Sequence, residues 1–188
     1  MNQNLLKQSL KIMKGSKNSK ICYLDFDDFG ETNNRLDWFW MLKKEFPNFK
    51  VNLFTIMSDY SSEFDNYIKT LNWIQICYHG VNHINNEEIP ELNLNILEGY
   101  NPVRIYRAPY WQLSDVMYER LKKLDYKIML HPDDPREGIK YNWNIKDSPP
   151  DLPILYGHGH IQDVCNNGLV EAFENIMKLP KDTIFKFL

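Results

Sequence analysis

With 188 residues, 43% of them hydrophobic and 14% aromatic, the chain has the composition of one globular domain long enough to bury a core, which excludes a disordered protein. A net charge of −3 without any block of like charges excludes electrostatic binding of nucleic acid or of an anionic membrane surface. No apolar run approaches the ~18 residues of a membrane span. Residues 1–19 read as a polar, Lys-rich extension lacking the apolar segment and cleavage site of a signal peptide. The expectation is therefore a cytoplasmic protein, with a phage-associated one as the alternative, whose single domain is residues 20–188. Cys22, Cys77 and Cys165 are widely spaced and form no CxxC pair, which argues against a disulfide framework and a thiolate zinc site.

In chain order, β-rich runs stand at Ile21–Phe26, Val51–Ile56, Trp73–Tyr78, Val103–Tyr106, Lys127–Leu130, Ile154–Tyr156 and Thr183–Phe187. Between them run apolar stripes with helical spacing. Leu36, Phe39, Trp40, Leu42 and Phe46 form the first, and Phe64, Tyr67, Ile68 and Leu71 the second. Ser114–Leu124 is the third, opened by Ser114 as N-cap, and Leu169–Leu179 the fourth. Asn85–Tyr100 is a poorer helix, interrupted by Pro90. Strands alternating with helices predict an α/β fold with a parallel sheet. The first strand runs into Asp27-Asp28-Phe29-Gly30 rather than a glycine-rich phosphate loop, which favours a barrel of fewer than eight strands over an open dinucleotide-binding sheet.

The titratable residues fall where the apolar strands end, the face that carries active sites in parallel α/β folds. All five histidines, His79, His83, His131, His158 and His160, lie there. His79 and His83, four apart, share one face if the segment makes a helical turn, and can then hold one metal. Asp27 and Asp28 supply a third ligand and a general base, while Asp25 is expected to face away from Asp28 and has no role. Arg107 follows an apolar strand and needs a carboxylate partner, with Asp27 the natural one. Pro109 stiffens the next loop and leaves the amides of Tyr110 and Trp111 as candidate oxyanion donors. His158 or His160, across the mouth, can protonate a leaving group if Asp133 or Asp134 supplies an acidic neighbour.

Four short motifs occur in order: Phe26-Asp27-Asp28, His79-Gly80-Val81-Asn82-His83, Arg107-Ala108-Pro109-Tyr110-Trp111 and Leu155-Tyr156-Gly157-His158. In this the chain resembles the polysaccharide deacetylases of carbohydrate esterase family 4, the NodB-homology domain. The resemblance implies a distorted, incomplete (β/α)7 barrel with parallel strands and a divalent metal, zinc foremost with cobalt or nickel as alternatives. It implies Asp28, His79 and His83 as metal ligands, Asp27 as base and Arg107 as the residue orienting it. It further implies the Tyr110 amide at the oxyanion, His158 as acid, and Tyr110 and Trp111 against an acetylated carbohydrate substrate. Asp25 stands where the family has Thr, and Gly80 where it has a small hydroxyl residue. The family's motif carrying the acidic partner of the acid histidine has no clear copy, so Asp133 and Asp134 are substitutes by position and His160 competes for the acid role. An amidase or esterase of a non-sugar substrate, or a weakly catalytic carbohydrate-binding protein, are the alternative readings; the oligomeric state is left open.

Overall fold

Cys22, Leu24 and Phe26 alternate with Tyr23, Asp25 and Asp27 along the first strand, and this period of two sorts the outer core from the barrel interior. The computed structural model describes residues 19–88, 103–161 and 168–188. Residues 1–18, Cys165 and most of the interrupted helix expected at Asn85–Tyr100 lie outside the described residues. The strands are β1 (Ile21–Phe29), β2 (Val51–Thr55), β3 (Ile74–Tyr78), β4 (Ile105–Arg107), β5 (Lys127–Leu130), β6 (Ile139–Lys140), β7 (Trp143–Asn144), β8 (Ile154–His160) and β9 (Ile184–Phe185). All pair in parallel, in the order β6-β5-β4-β3-β2-β1-β8-β7, with β9 added beside the start of β1.

The two ends of that path, β6 and β7, are joined by only Tyr141 and Asn142. One short strip of chain therefore pairs with β5 at one end and with β8 at the other. This curls the sheet into an incomplete, distorted (β/α)7 barrel. Sequence periodicity missed both strands because two residues cannot display a period.

Helices α1 (Leu36–Glu45), α2 (Ser62–Ile68), α3 (Asp115–Lys123) and α4 (Gly168–Met177) match the four apolar stripes. Phe39 and Leu42 of α1 meet Leu24 and Phe26 of β1 in the main core, where Phe26 and Phe39 pack edge to face. Gly157 of β8 is a close-approach position: a Cβ there would stand 2.8 Å from Trp143 and 2.9 Å from Leu24. Inside the barrel, Phe54, Cys77, Ile105 and Met129 form a fully buried apolar layer, the floor on which the polar mouth is built. No helix among the described residues is long and apolar enough to cross a membrane.

Ser114 caps α3 as expected, its Oγ accepting from the Met117 amide at 3.2 Å. Ser114→Ala should cost about 1 kcal/mol, read as a lower urea midpoint at unchanged slope. An unchanged midpoint would show the cap to be dispensable.

Candidate active site

The pairing of β1 with β2 is regular to Phe26 and resumes at Phe29, so Asp27 and Asp28 sit in a bulge. Asp28 takes a left-handed backbone (φ 65°), which breaks the alternation and turns both carboxylates to the same mouth. His83, Tyr110 and Trp111 are left-handed as well (φ 55°, 53° and 61°). Such conformations in non-glycine residues cost about 1–3 kcal/mol each and gather where a site requires them.

His79 and His83 are brought together, though not by the helical turn that their spacing suggested. The segment is a loop in which Gly80 has φ 83° and a Cβ would meet Glu87 Oε2 at 2.2 Å. The buried Glu87 carboxylate accepts the Val81 and Asn82 amides (3.1 and 2.8 Å) and fixes the turn. His79 Nδ1 lies 3.1 Å from the Arg107 carbonyl, so that nitrogen donates its proton there and Nε2 presents its lone pair to the mouth. Asp28 Oδ1 is buried without a hydrogen bond among the described residues, 3.0 Å from His83 Nε2 and 3.6 Å from His79 Nε2.

Arg107 is fully buried. Its Nη1 donates to Asp27 Oδ1 at 2.5 Å and to Asp25 Oδ1 at 2.6 Å, so the partner is two carboxylates rather than Asp27 alone. Its guanidinium lies between the rings of Phe54 and Trp111, 4.1 and 4.7 Å from their centroids. Asp25, expected to be idle, points inward with Asp27 and lies 2.7 Å from His158 Nδ1. The expected neighbours of His158 are engaged elsewhere: Asp134 pairs with Arg136 (2.7 Å), and the exposed Asp133 lies against His131 (3.4 Å). Trp111 and Tyr141 flank the His158 ring at 5.0 and 5.1 Å. His160 Nδ1 is 3.2 Å from Asp28 Oδ2. The Trp111 amide is committed to the Ala108 carbonyl, leaving the Tyr110 amide as the candidate oxyanion donor of the two. Tyr110 is exposed, its ring 4.7 Å from that of His83. Of these residues, sequence reasoning missed Asp25, Glu87 and Tyr141; period two along β1 signals Asp25, and nothing signals the other two.

Burial pushes the Asp25 carboxyl up, but Arg107 and His158 outweigh it and hold it at about 2. Burial opposes ionisation of Asp27 and Asp28 too, and is overcome by Arg107 and the histidines at Asp27 and by His160, His79 and His83 at Asp28; both are lowered. Asp25, Asp27 and Asp28 are thus three buried carboxylates against the single guanidinium of Arg107, an excess of two negative charges. One divalent cation balances that excess. Asp28, His79 and His83 offer it one oxygen and two nitrogens within 4.8 Å of one another, so these residues fit a metal such as zinc. Asp27, His158 and His160 form a second such group, but an ion there would lie against Arg107.

Burial, then Arg107, pushes His158 below its ordinary 6.5, and burial lowers His83 against the pull of Asp28. As pH falls, the unfolded chain therefore binds these protons first and stability declines from about pH 6.5 downward. Asp25 adds a further loss between about pH 4 and 2, as the unfolded carboxyl protonates before the folded one. Urea unfolding of the chelator-treated protein should show this decline; a midpoint constant from pH 7 to 5 would contradict a buried, neutral His158 and a half-buried, neutral His83.

No family model matches the sequence, and no curated protein matches it. In structure, the chain resembles family 4 carbohydrate esterases. A CE4 esterase from Streptococcus mutans superposes with a TM-score of 0.64 at 13% identity, over 91% of this chain and 87% of that one. The peptidoglycan deacetylase PdaC from Bacillus subtilis gives 0.60 at 17% identity, over 90% and 87%. A family 4 acetyl xylan esterase from Clostridium thermocellum, in complex with a cobalt ion, gives 0.58 at 15% identity, over 90% and 87%. At these identities the likeness is one of fold.

Proposed function

We propose that this protein is a metal-dependent hydrolase that removes acetyl groups from an N-acetylated, or O-acetylated, sugar or polysaccharide. The observation that carries the reading is the union, in one buried mouth, of the Asp28–His79–His83 donor set with an ionised, Arg107-held Asp27. A divalent cation bound there, zinc foremost with cobalt or nickel as alternatives, supplies a Lewis acid for the acetyl carbonyl and activates water near neutral pH.

The side chains divide the remaining work. Asp27 has Oδ1 tied to Arg107, which leaves Oδ2, 3.6 Å from His79 Nε2, to take a proton from the attacking water. In this reading the Tyr110 amide holds the oxyanion, since the neighbouring Trp111 amide is bonded to the Ala108 carbonyl. Among the described residues His158 Nε2 is buried without a hydrogen bond, and it lies 3.9 Å from Asp27 Oδ2. In this reading that nitrogen protonates the departing amine or alkoxide. Trp111 and exposed Tyr110 line the approach and suit the apolar face of a sugar ring.

A peptidoglycan deacetylase and an acetyl xylan esterase superpose almost equally well, so an N-acetylated and an O-acetylated glycan are both substrates to test. Acetate release from chitooligosaccharides and from acetylated xylan, with zinc present and after chelation, tests the reading. Metal-dependent release from either glycan supports it. Release from neither, with glycan binding insensitive to chelation, would replace the enzyme with a carbohydrate-binding protein.

A further inference from the structure

We infer that Asp25 is a positioning residue for His158, its carboxylate fixing the imidazole with Nδ1–H directed inward and Nε2 at the mouth, and supporting the imidazolium of the acid step. The inference rests on the proposed hydrolytic reading and assigns a residue that the sequence motifs leave without a role.

The strand register brings the two residues side by side. Asp25 of β1 is paired directly with His158 of β8, and both side chains point into the barrel. Asp25 is 1% exposed and its Oδ1 stands 2.7 Å from His158 Nδ1. Among the described residues, the other polar atom near Nδ1 is Arg107 Nη1, at 3.0 Å. That nitrogen has two hydrogens, and Asp25 and Asp27 accept them. Nδ1 therefore faces a carboxylate as its acceptor and carries a proton, and Nε2 is the nitrogen turned to the substrate.

Charge requires the same residue. Among the described residues, the groups facing His158 are Arg107, Asp25 and Asp27, with the rings of Trp111, Tyr141 and His160 around it. Burial and Arg107 both disfavour the imidazolium, while Asp25 and Asp27 favour it. As Asp27 becomes protonated during water attack, its support fades at the moment the acid is needed. Asp25 is the carboxylate that stays ionised through the step.

The test pairs two substrates that differ in their need for an acid. An amine leaving from a chitooligosaccharide must be protonated; the phenolate of 4-nitrophenyl acetate leaves without a proton. Asp25→Asn keeps the shape and removes the charge. It should lower kcat on the acetamide by about 10²–10⁴-fold, the usual worth of an acid, with KM and metal content unchanged. On the aryl ester its loss should stay within about tenfold, a margin well below the worth of general acid catalysis. In a His158→Ala background, Asp25→Asn should add little further loss, since residues acting as a unit are not additive. Equal losses on both substrates, or full additivity with His158→Ala, would overturn the inference. If His158→Ala itself spares the acetamide, the acid assignment of the proposed function fails instead. 15N NMR of histidine-labelled, chelator-treated protein separates the two without turnover. A His158 ring held as the Nδ1–H tautomer in the wild type, and mixed in Asp25→Asn, supports the contact. An Nε2–H tautomer in the wild type overturns it even if the variant does not fold.

Discussion

Asp27→Asn should bind metal as the wild type does and lose at least about 10³-fold in kcat, within the range that a positioned general base contributes. The expectation follows from how the two adjacent carboxylates are used. Asp28 Oδ1 faces Nε2 of both His79 and His83, whereas Asp27 Oδ1 is held by Arg107 and only Oδ2 faces the mouth. Asparagine can keep an oxygen on Arg107 and put an amide nitrogen, which takes up no proton at neutral pH, where Oδ2 was. The variant keeps the fold because its size and its bond to Arg107 persist, although one of the two charges balancing that buried guanidinium is gone. A moderate drop in stability is expected, below the ~3–5 kcal/mol seen when a buried ion pair loses a whole partner. Steady-state kinetics with a metal assay decide the matter. Substantial turnover would remove Asp27 from the base role; loss of metal along with activity would assign Asp27 as a ligand and free Asp28 for the base.

That the two neighbours can differ so sharply is a matter of backbone that the sequence only hints at. Strict alternation along β1 predicts Asp25 and Asp27 on one face and Asp28 on the other. The alternation does govern Asp25, and applying it to β8 as well would have put Asp25 and His158 on the same inner face, though without giving their register. It fails at Asp28 because a bulge and a left-handed φ intervene, and no residue type between Phe26 and Phe29 announces either. Similarly, the spacing of His79 and His83 was legible while the reason for their proximity was not. A buried carboxylate, Glu87, clamps the loop through backbone amides, and such a contact leaves no periodic trace.

The barrel itself was readable because strands β1 to β5 and β8 are long enough, or apolar enough, to stand out between helices of period 3.6. Its closure was not, since the closing strip contributes only Ile139–Lys140 and Trp143–Asn144. That strip matters for the site. Tyr141, between its halves, packs on His158, and Trp143 fills the space that Gly157 leaves open. Asp133 and Asp134 were placed by chain position after β5. The loop instead turns them onto His131 and Arg136, because a nearby guanidinium captures Asp134 before it can reach the mouth.

Metal content should be about one zinc, cobalt or nickel per chain in the wild type and close to none in His79→Ala/His83→Ala. The two imidazoles supply both nitrogens of the donor set, and loss of mere outer partners of metal ligands already costs about 10–100-fold in affinity. Losing both ligands should cost more. Elemental analysis reads occupancy, and thermal unfolding gives an independent measure. Free zinc at about 100 times its Kd stabilises a binding fold by about 2.7 kcal/mol, or about 5–10 °C for a domain of this size. The wild type should show that shift and the double variant should not. A double variant that keeps a full equivalent would move the ion to Asp27, His158 and His160, against the repulsion of Arg107. No metal in either protein, even after zinc is added back, would leave two uncompensated negative charges among Asp25, Asp27, Asp28 and Arg107, and with them no basis for metal-assisted hydrolysis. The buried charge imbalance is what makes that outcome physically expensive, and it is independent of any likeness to known enzymes.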